Sequence, residues 1–162
     1  MKLAVLFSGG KDSVLALHKA SESNEVVCLI SLFSQSSDSY MFHVPNIHLT
    51  TLQARALELP LIKQVTQGVK EEELSDLRHA LIKSKNEFGI EGVVTGAIRS
   101  VYQASRVQRI CDELDLYCFN PLWLMNQVEL LNETLENGFK TIISGVAGYP
   151  LTSEWLGREI TK

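Results

Sequence analysis

Short apolar runs alternate along the chain with longer stretches whose apolar residues recur at helical spacing. Residues 2–7 are an apolar run ending at a glycine pair, and they predict a buried strand. Residues 12–23 follow with Val14, Leu15, Leu17 and His18 at helical spacing, so a helix fits. Residues 25–33 are rich in Val, Ile and Leu and predict a second buried strand; 34–39 are a serine-rich polar loop. A helix is expected over 46–59, capped by Asn46 or Thr50 and stopped by Pro60. Residues 61–65 predict a third strand and 71–88 a long amphipathic helix ended by Gly89. Its acidic first turn and late lysines suit the helix dipole. Strands are expected at 92–95, 116–119 and 139–146, and helices at 100–114 and 128–137.

Six strands alternating with five helices imply an α/β fold, a three-layer sandwich with a mostly parallel sheet and helices on both faces. Crossovers should be right-handed. Sheets of this kind bind ligands beyond the C-terminal ends of their strands, near a switch in strand order. Ser8-Gly9 and Gly96 both fall at such ends, so one site can hold both.

Composition narrows the class. In 162 residues, 45% are hydrophobic and 21% charged, a globular mixture. A net charge of −4 argues against a surface that coats nucleic acid. The apolar runs are strand-sized, so no membrane span is expected, and the first run is too short for a signal peptide. Cys28, Cys111 and Cys118 are odd in number and form no CxxC pair; they read as reduced core thiols of a cytoplasmic protein.

The sharpest chemical signal is Ser8-Gly9-Gly10-Lys11-Asp12-Ser13, set between a strand and a helix. Gly9 and Gly10 let the backbone approach a phosphate, and the helix start offers unpaired N–H groups and a positive dipole end. Ser8 and Ser13 add hydroxyls and Lys11 a charge, while Asp12 suits magnesium or the ordering of the loop. The spacing is neither Walker A nor the GxGxxG fingerprint. It resembles the SGGxDS loop of the ATP pyrophosphatases, or PP-loop enzymes. There the loop grips the β and γ phosphates while the α phosphate is attacked.

Thr95-Gly96-Ala97-Ile98-Arg99-Ser100 follows the fourth strand and should lie beside that loop. Gly96 would allow close backbone approach, and Arg99 either stabilises charge at phosphorus or is a surface arginine. Tyr102 and Arg106, four apart, share a helix face. They form either a recognition edge or, with Val107, a core contact beside a solvated arginine. The segment 41–48 carries His43 and His48 without other metal ligands nearby, and reads as a cleft lining. Trp123 follows a strand's C-terminal end and reads as a cleft wall.

Taken together, these segments resemble the diphthine–ammonia ligase family, a PP-loop branch. The resemblance rests on the phosphate loop, Met41-Phe42-His43-Val44-Pro45-Asn46, the stretch from Gly96 to Val107, Pro121-Leu122-Trp123, Gly138-Phe139 and Trp155-Leu156-Gly157-Arg158. It spans nearly the whole chain in order. It implies an adenine nucleotide alpha hydrolase-like fold and an AMP-forming ligase. ATP with Mg2+ activates the carboxylate of diphthine on translation elongation factor 2, and ammonia displaces AMP. It places Ser8, Gly9, Gly10, Lys11 and Ser13 on the pyrophosphate end and Asp12 on the metal or loop. Gly96 falls near the ribose or α phosphate, and Leu32 and Phe33 beside adenine. Asn46, Tyr102, Arg106 and Trp123 fall on the substrate side. An ATP-binding domain is expected over 1–150, with 151–162 opening a C-terminal segment. The acidic glycine-rich stretch that follows WLGR in the family is expected to be missing. Another PP-loop activity, on tRNA or a small molecule, and a non-catalytic ATP sensor stay open, as does a homo-oligomer.

Overall fold

The computed structural model describes residues 1–35, 46–69 and 71–162. They form two compact units, Met1–Leu124 and Met125–Lys162. In the first unit lie strands β1 (Lys2–Leu6), β2 (Glu25–Ser34), β3 (Leu61–Thr66), β4 (Gly92–Val94) and β5 (Tyr117–Phe119). Its helices are α1 (Lys11–Ser21), α2 (Thr50–Ala56), α3 (Glu72–Phe88) and α4 (Val101–Glu113). The strands make one sheet in the order β3-β2-β1-β4-β5, and every pairing is parallel.

Strand order and handedness fix the layers. The chain steps outward from β1 to β2 to β3, then returns across β1 to β4 and β5. With right-handed crossovers, a reversal of direction moves the connecting helix to the other face. So α1 and α2 cover one face, α3 and α4 the other. The core agrees: Leu77, Ala80 and Leu81 of α3 join Val107, Ile110 and Cys111 of α4 over Ala4, Cys28, Ile30, Leu32 and Val93. The buried set Leu77, Ala80, Leu81 and Ser84 repeats at i, i+3, i+4 and i+7. Each fully buried leucine there stabilises the fold by about 1.5–3 kcal/mol. Leu3, Ala4 and Val5 are all buried, as a strand covered on both faces requires.

The reversal leaves a crevice beyond the C-terminal ends of β1 and β4, where successive connections diverge to opposite faces. The α/β sandwich expected from the alternation is therefore present, with five sheet strands among the described residues.

Two expectations need correction. The region 139–146 is not a sixth sheet strand. Ile142 makes a single antiparallel bridge to Glu159. Ile143 N–H donates to the Arg158 carbonyl at 2.9 Å, and Gly157 N–H donates to the Ile143 carbonyl at 2.9 Å. Its backbone is thus satisfied by a local return of the chain within the second unit. Ile142 is 62% exposed, unlike a core strand residue. The helix over 46–59 is also shorter: a 3-10 turn at Ile47–Leu49 leads into α2, which ends at Ala56. Asn46 takes a left-handed φ of 62° and makes no side-chain cap, while the Thr50 hydroxyl turns back to the Ile47 carbonyl at 2.6 Å. The second unit's helix, α5 (Gln127–Glu136), is capped by Asn126, whose side chain accepts from Val128 N–H at 2.8 Å.

Candidate functional site

At the end of β1 the chain turns through Ser8, Gly9 and Gly10 into α1. Gly9 has φ +77°, a conformation that favours glycine, and Gly10 stands at the helix N-cap with no side-chain cap bond. The first helical bond is Val14 N–H to the Gly10 carbonyl at 3.1 Å. The N–H groups of Lys11, Asp12 and Ser13 therefore have no partner among the described residues. Helix α4 is closed instead: Ser100 Oγ accepts from Gln103 N–H. The start of α1 thus presents three aligned donors and the positive end of a helix dipole.

Hydroxyl groups hold the loop's shape. Ser8 Oγ donates to Ser13 Oγ at 3.2 Å, and Ser13 Oγ approaches the Gly10 carbonyl at 3.0 Å. Gly10 N–H reaches Ser8 Oγ at 3.4 Å, a long bond that a better acceptor would displace. The Lys11 ammonium bonds one carboxylate oxygen of Asp12.

Gly96 lies against this helix start. A Cβ added to it would stand 3.0 Å from the Asp12 carbonyl carbon and from Ser13 N, and 3.2 Å from the Asp12 oxygen. The loop after β4 is braced from behind: the Thr95 hydroxyl bonds the Asn120 side-chain carbonyl and accepts from Ala97 N–H at 3.1 Å.

Between the two loops opens a cavity of about 220 Å³. Its lining combines Ser8, Asp12, Ser13, Thr95 and Gly96 with the apolar Ile30, Leu32, Ile47, Ala97 and Val107. Gln103 also faces it.

The structure thus brings Ser8, Asp12, Ser13, Leu32 and Gly96 to one cavity, with Gly9, Gly10 and Lys11 in the loop that frames it. Phe33 is not among the lining residues. Adjacent strand residues face opposite sides of a sheet, and the Phe33 ring lies 5.8 Å from the Lys63 ammonium. Arg99 is exposed and outside the lining.

Tyr102 and Arg106 do share a face, but it is another one. The guanidinium sits 3.5 Å from the Tyr102 ring centroid, and both side chains bond Glu71 Oε1, Arg106 at 2.7 Å and Tyr102 at 3.3 Å. The hydrogen bond it donates to Glu71 holds the Arg106 pKa above its ordinary value. Both residues stand beside a groove between α3 and α4 rather than in the cavity. Trp123 is 36% exposed and does not line the cavity, whereas its neighbour Leu122 is fully buried. Asn46 precedes the turn that supplies Ile47. The expected cleft lining at 41–45 lies outside the described residues, as does most of the serine-rich loop.

Thr95, Gln103 and Val107 reach the cavity without having been singled out for it. Gln103 and Val107 are four apart, so helical spacing marks them as one face, but nothing local says which face meets the cavity.

The three cysteines are unpaired, with Cys28 and Cys111 buried. Burial pushes the Cys28 thiol up to about 11. The hydrogen bond to Cys118, then burial, hold Cys111 well above the ordinary thiol range. Cys28 and Cys111 are therefore protonated thiols at neutral pH. No group of three or more His, Cys, Asp or Glu residues that could hold a metal occurs among the described residues.

A five-stranded parallel sheet with a phosphate-type loop at its switch point defines an α/β domain of the adenine nucleotide alpha hydrolase-like fold. A solved structure of a predicted subunit of tRNA methyltransferase from Methanocaldococcus jannaschii superposes with a TM-score of 0.56 at 18% identity, covering 84% of this chain and 74% of that one. At that identity the likeness is one of fold. The family follows from sequence: residues 1–118 match the diphthamide synthase N-terminal domain, and the chain belongs to that family. It is 35% identical to a diphthine–ammonia ligase of Mus musculus, over 93% of this chain and 64% of that protein. It is 32% identical to a diphthine–ammonia ligase of Danio rerio, over 100% of this chain and 71% of that protein. The chain thus spans just under two thirds of the mouse relative's length.

Proposed function

We propose that this chain carries the ATP site of an AMP-forming amide ligase, which converts diphthine on translation elongation factor 2 to diphthamide with ammonia and ATP, releasing AMP and pyrophosphate. The observation that carries the reading is the open N-terminus of α1, set beside Gly96 at the sheet's switch point in a chain of the diphthamide synthase family.

The chemistry asks for little beyond placement and charge. A carboxylate does not react with ammonia at neutral pH, because its oxygen is a poor leaving group. Attack of that carboxylate on the α phosphate of ATP expels pyrophosphate and makes an acyl-adenylate; attack of ammonia then expels AMP. The N–H groups of Gly10 through Ser13, the Ser8 and Ser13 hydroxyls and Lys11 hold the departing pyrophosphate and stabilise its charge as it develops. The apolar lining residues Ile30, Leu32 and Val107 take adenine. Gly96 gives the backbone access to the α phosphate.

Magnesium fits these residues in its usual way with nucleotides, through one protein carboxylate and the phosphates themselves. Asp12 lines the cavity and would supply that carboxylate. When bound, the ion neutralises phosphate charge. The protein substrate and ammonia are read from the family alone. Action on elongation factor 2 would put its work in the cytoplasm, where translation runs. No helix among the described residues is long and apolar enough to cross a membrane.

The test is AMP and pyrophosphate release from MgATP, with ammonium and diphthine-bearing elongation factor 2 each present or omitted. Release that needs both supports the reading; absence of any ATP binding by the wild-type chain overturns it.

A further inference from the structure

Helix α2 packs against the phosphate loop at Gly9. Its Gln53 side chain crosses 44 positions of sequence to meet Gly9: Nε2 donates to the Gly9 carbonyl at 3.0 Å. The contact is close on the other side as well. A Cβ on Gly9 would fall 2.2 Å from Gln53 Oε1 and 3.2 Å from Thr50 Cγ2. The bond to Gly9 fixes which end of the amide carries nitrogen. Oε1 is buried and has no partner among the described residues, so this one donor bond is the amide's polar link to the loop.

We propose that Gln53 is a positioning residue for the phosphate grip. This deepens the ATP-site reading above and rests on it. In a trans peptide the C=O and N–H point in opposite directions. The Gly9 carbonyl belongs to the same peptide plane as Gly10 N–H. Holding that carbonyl towards α2 therefore turns Gly10 N–H away from α2, towards Ser8 Oγ, whose residue lines the cavity. There its bond is the long 3.4 Å contact to Ser8 Oγ, which a phosphate oxygen can replace. Without the brace, the Gly9–Gly10 peptide is flanked by glycines on both sides and free to rotate, turning an acceptor towards the phosphates instead of a donor. Gln53 thus acts through the orientation of one peptide, and touches no nucleotide itself.

The proposal separates phosphate recognition from nucleoside recognition. Gln53→Met keeps the length and removes the donor; Gln53→Glu keeps the shape and replaces the donor with an anionic oxygen facing a carbonyl. Affinities for MgATP and for adenosine are measured by calorimetry on the full chain. Gln53→Met is expected to weaken MgATP about tenfold, about 1.4 kcal/mol, while adenosine changes less than twofold. Gln53→Glu is expected to lose more than tenfold for MgATP. A loss shared equally by ATP and adenosine would mean a general packing role and overturn the proposal, as would unchanged ATP affinity in Gln53→Met. If the wild-type chain binds no ATP, the ATP-site reading fails first. Should Gln53→Met not fold, the wild-type protein still decides: the Gln53 side-chain amide resonance must shift on adding inorganic pyrophosphate, and a resonance that stays put refutes the brace.

Discussion

Replacing Gly96 by alanine tests whether the two loops form one unit. The added methyl would meet Asp12 C and Ser13 N at 3.0 Å and Asp12 O at 3.2 Å, all backbone atoms. Ordinary van der Waals contact begins near 3.4 Å. A side chain could rotate away, but these atoms belong to the first turn of α1, which is packed on the sheet through Leu15, Ala16 and Leu17. Either α1 or the loop after β4 must shift by several tenths of an ångström. Overpacking of this kind costs about 1–3 kcal/mol. With a urea dependence of about 2 kcal/mol per molar, the unfolding midpoint should fall by roughly 0.5–1.5 M. Trp123 lies in the first unit and Trp155 in the second. Following Trp123 fluorescence in a Trp155→Phe background therefore reports on the first unit. Because the displaced atoms include Ser13 N, one of the N–H donors at the start of α1, MgATP affinity should fall as well, by about tenfold, or about 1.4 kcal/mol. A Gly96→Ala protein whose midpoint moves by less than 0.3 M (about 0.5 kcal/mol) and whose ATP affinity is unchanged would refute the close approach.

Lys11→Ala removes an ammonium from a loop position whose side chain is 28% exposed and packs no core. ATP affinity should fall by roughly 10–100-fold, the size of a charge-assisted bond, with the unfolding midpoint nearly unchanged; an unfolded variant would argue for a structural lysine. Arg106→Ala should leave ATP affinity within about twofold, since Glu71 holds the guanidinium beside the α3–α4 groove; a large loss in calorimetry would place it in the cavity. Cys111→Ala should leave pyrophosphate release nearly intact, and its abolition in a folded variant would point to a thiol mechanism. The buried Cys28 thiol is raised to about 11, so the folded state keeps its proton while the unfolded chain, near 9, loses it. Stability is thus full below pH 9 and falls by up to about 3 kcal/mol as pH rises through 11. Urea midpoints across pH 8–11 should show this slope in the wild type and a flatter one in Cys28→Ala.

What the sequence displays well is what neighbouring residues decide. The run 2–7, the Ser8-to-Ser13 loop and the helix after it are contiguous, so their strand, turn and open helix end were legible without the fold. The long helix was legible for the same reason: its buried positions repeat at 3.6 and Gly89 ends it in a left-handed turn. Parity is harder. Leu32 and Phe33 both end β2, but only the register to β1 and β3 decides that Leu32 meets the cavity and Phe33 does not. The region 139–146 has strand-like residues yet pairs with the stretch 157–160, because backbone groups take whichever partner the chain brings near. Tyr102 and Arg106 were read as one face from their spacing alone, and they are. Their partner Glu71 lies 31 and 35 residues away, beyond the reach of any local pattern.

The same division of labour explains why a glycine-rich loop needs more than its own motif. Ser8-Gly9-Gly10 supplies the freedom to approach a phosphate, and that freedom includes orientations that present carbonyls to an anion. Nothing within the six residues removes those orientations except the long Gly10-to-Ser8 contact. The restraint arrives from outside: Gln53 from α2 on the carbonyl side, and the Gly96 backbone against the helix start. Substitutions at Gln53 and Gly96 should therefore couple to ATP through neighbouring peptide groups of one loop, Gly9–Gly10 and Asp12–Ser13. In a double-mutant cycle their effects on MgATP affinity should fall short of additive, because each releases a segment the other has already freed. Strict additivity would mean that the two braces act on separate parts of the grip, and that the loop holds its shape without them.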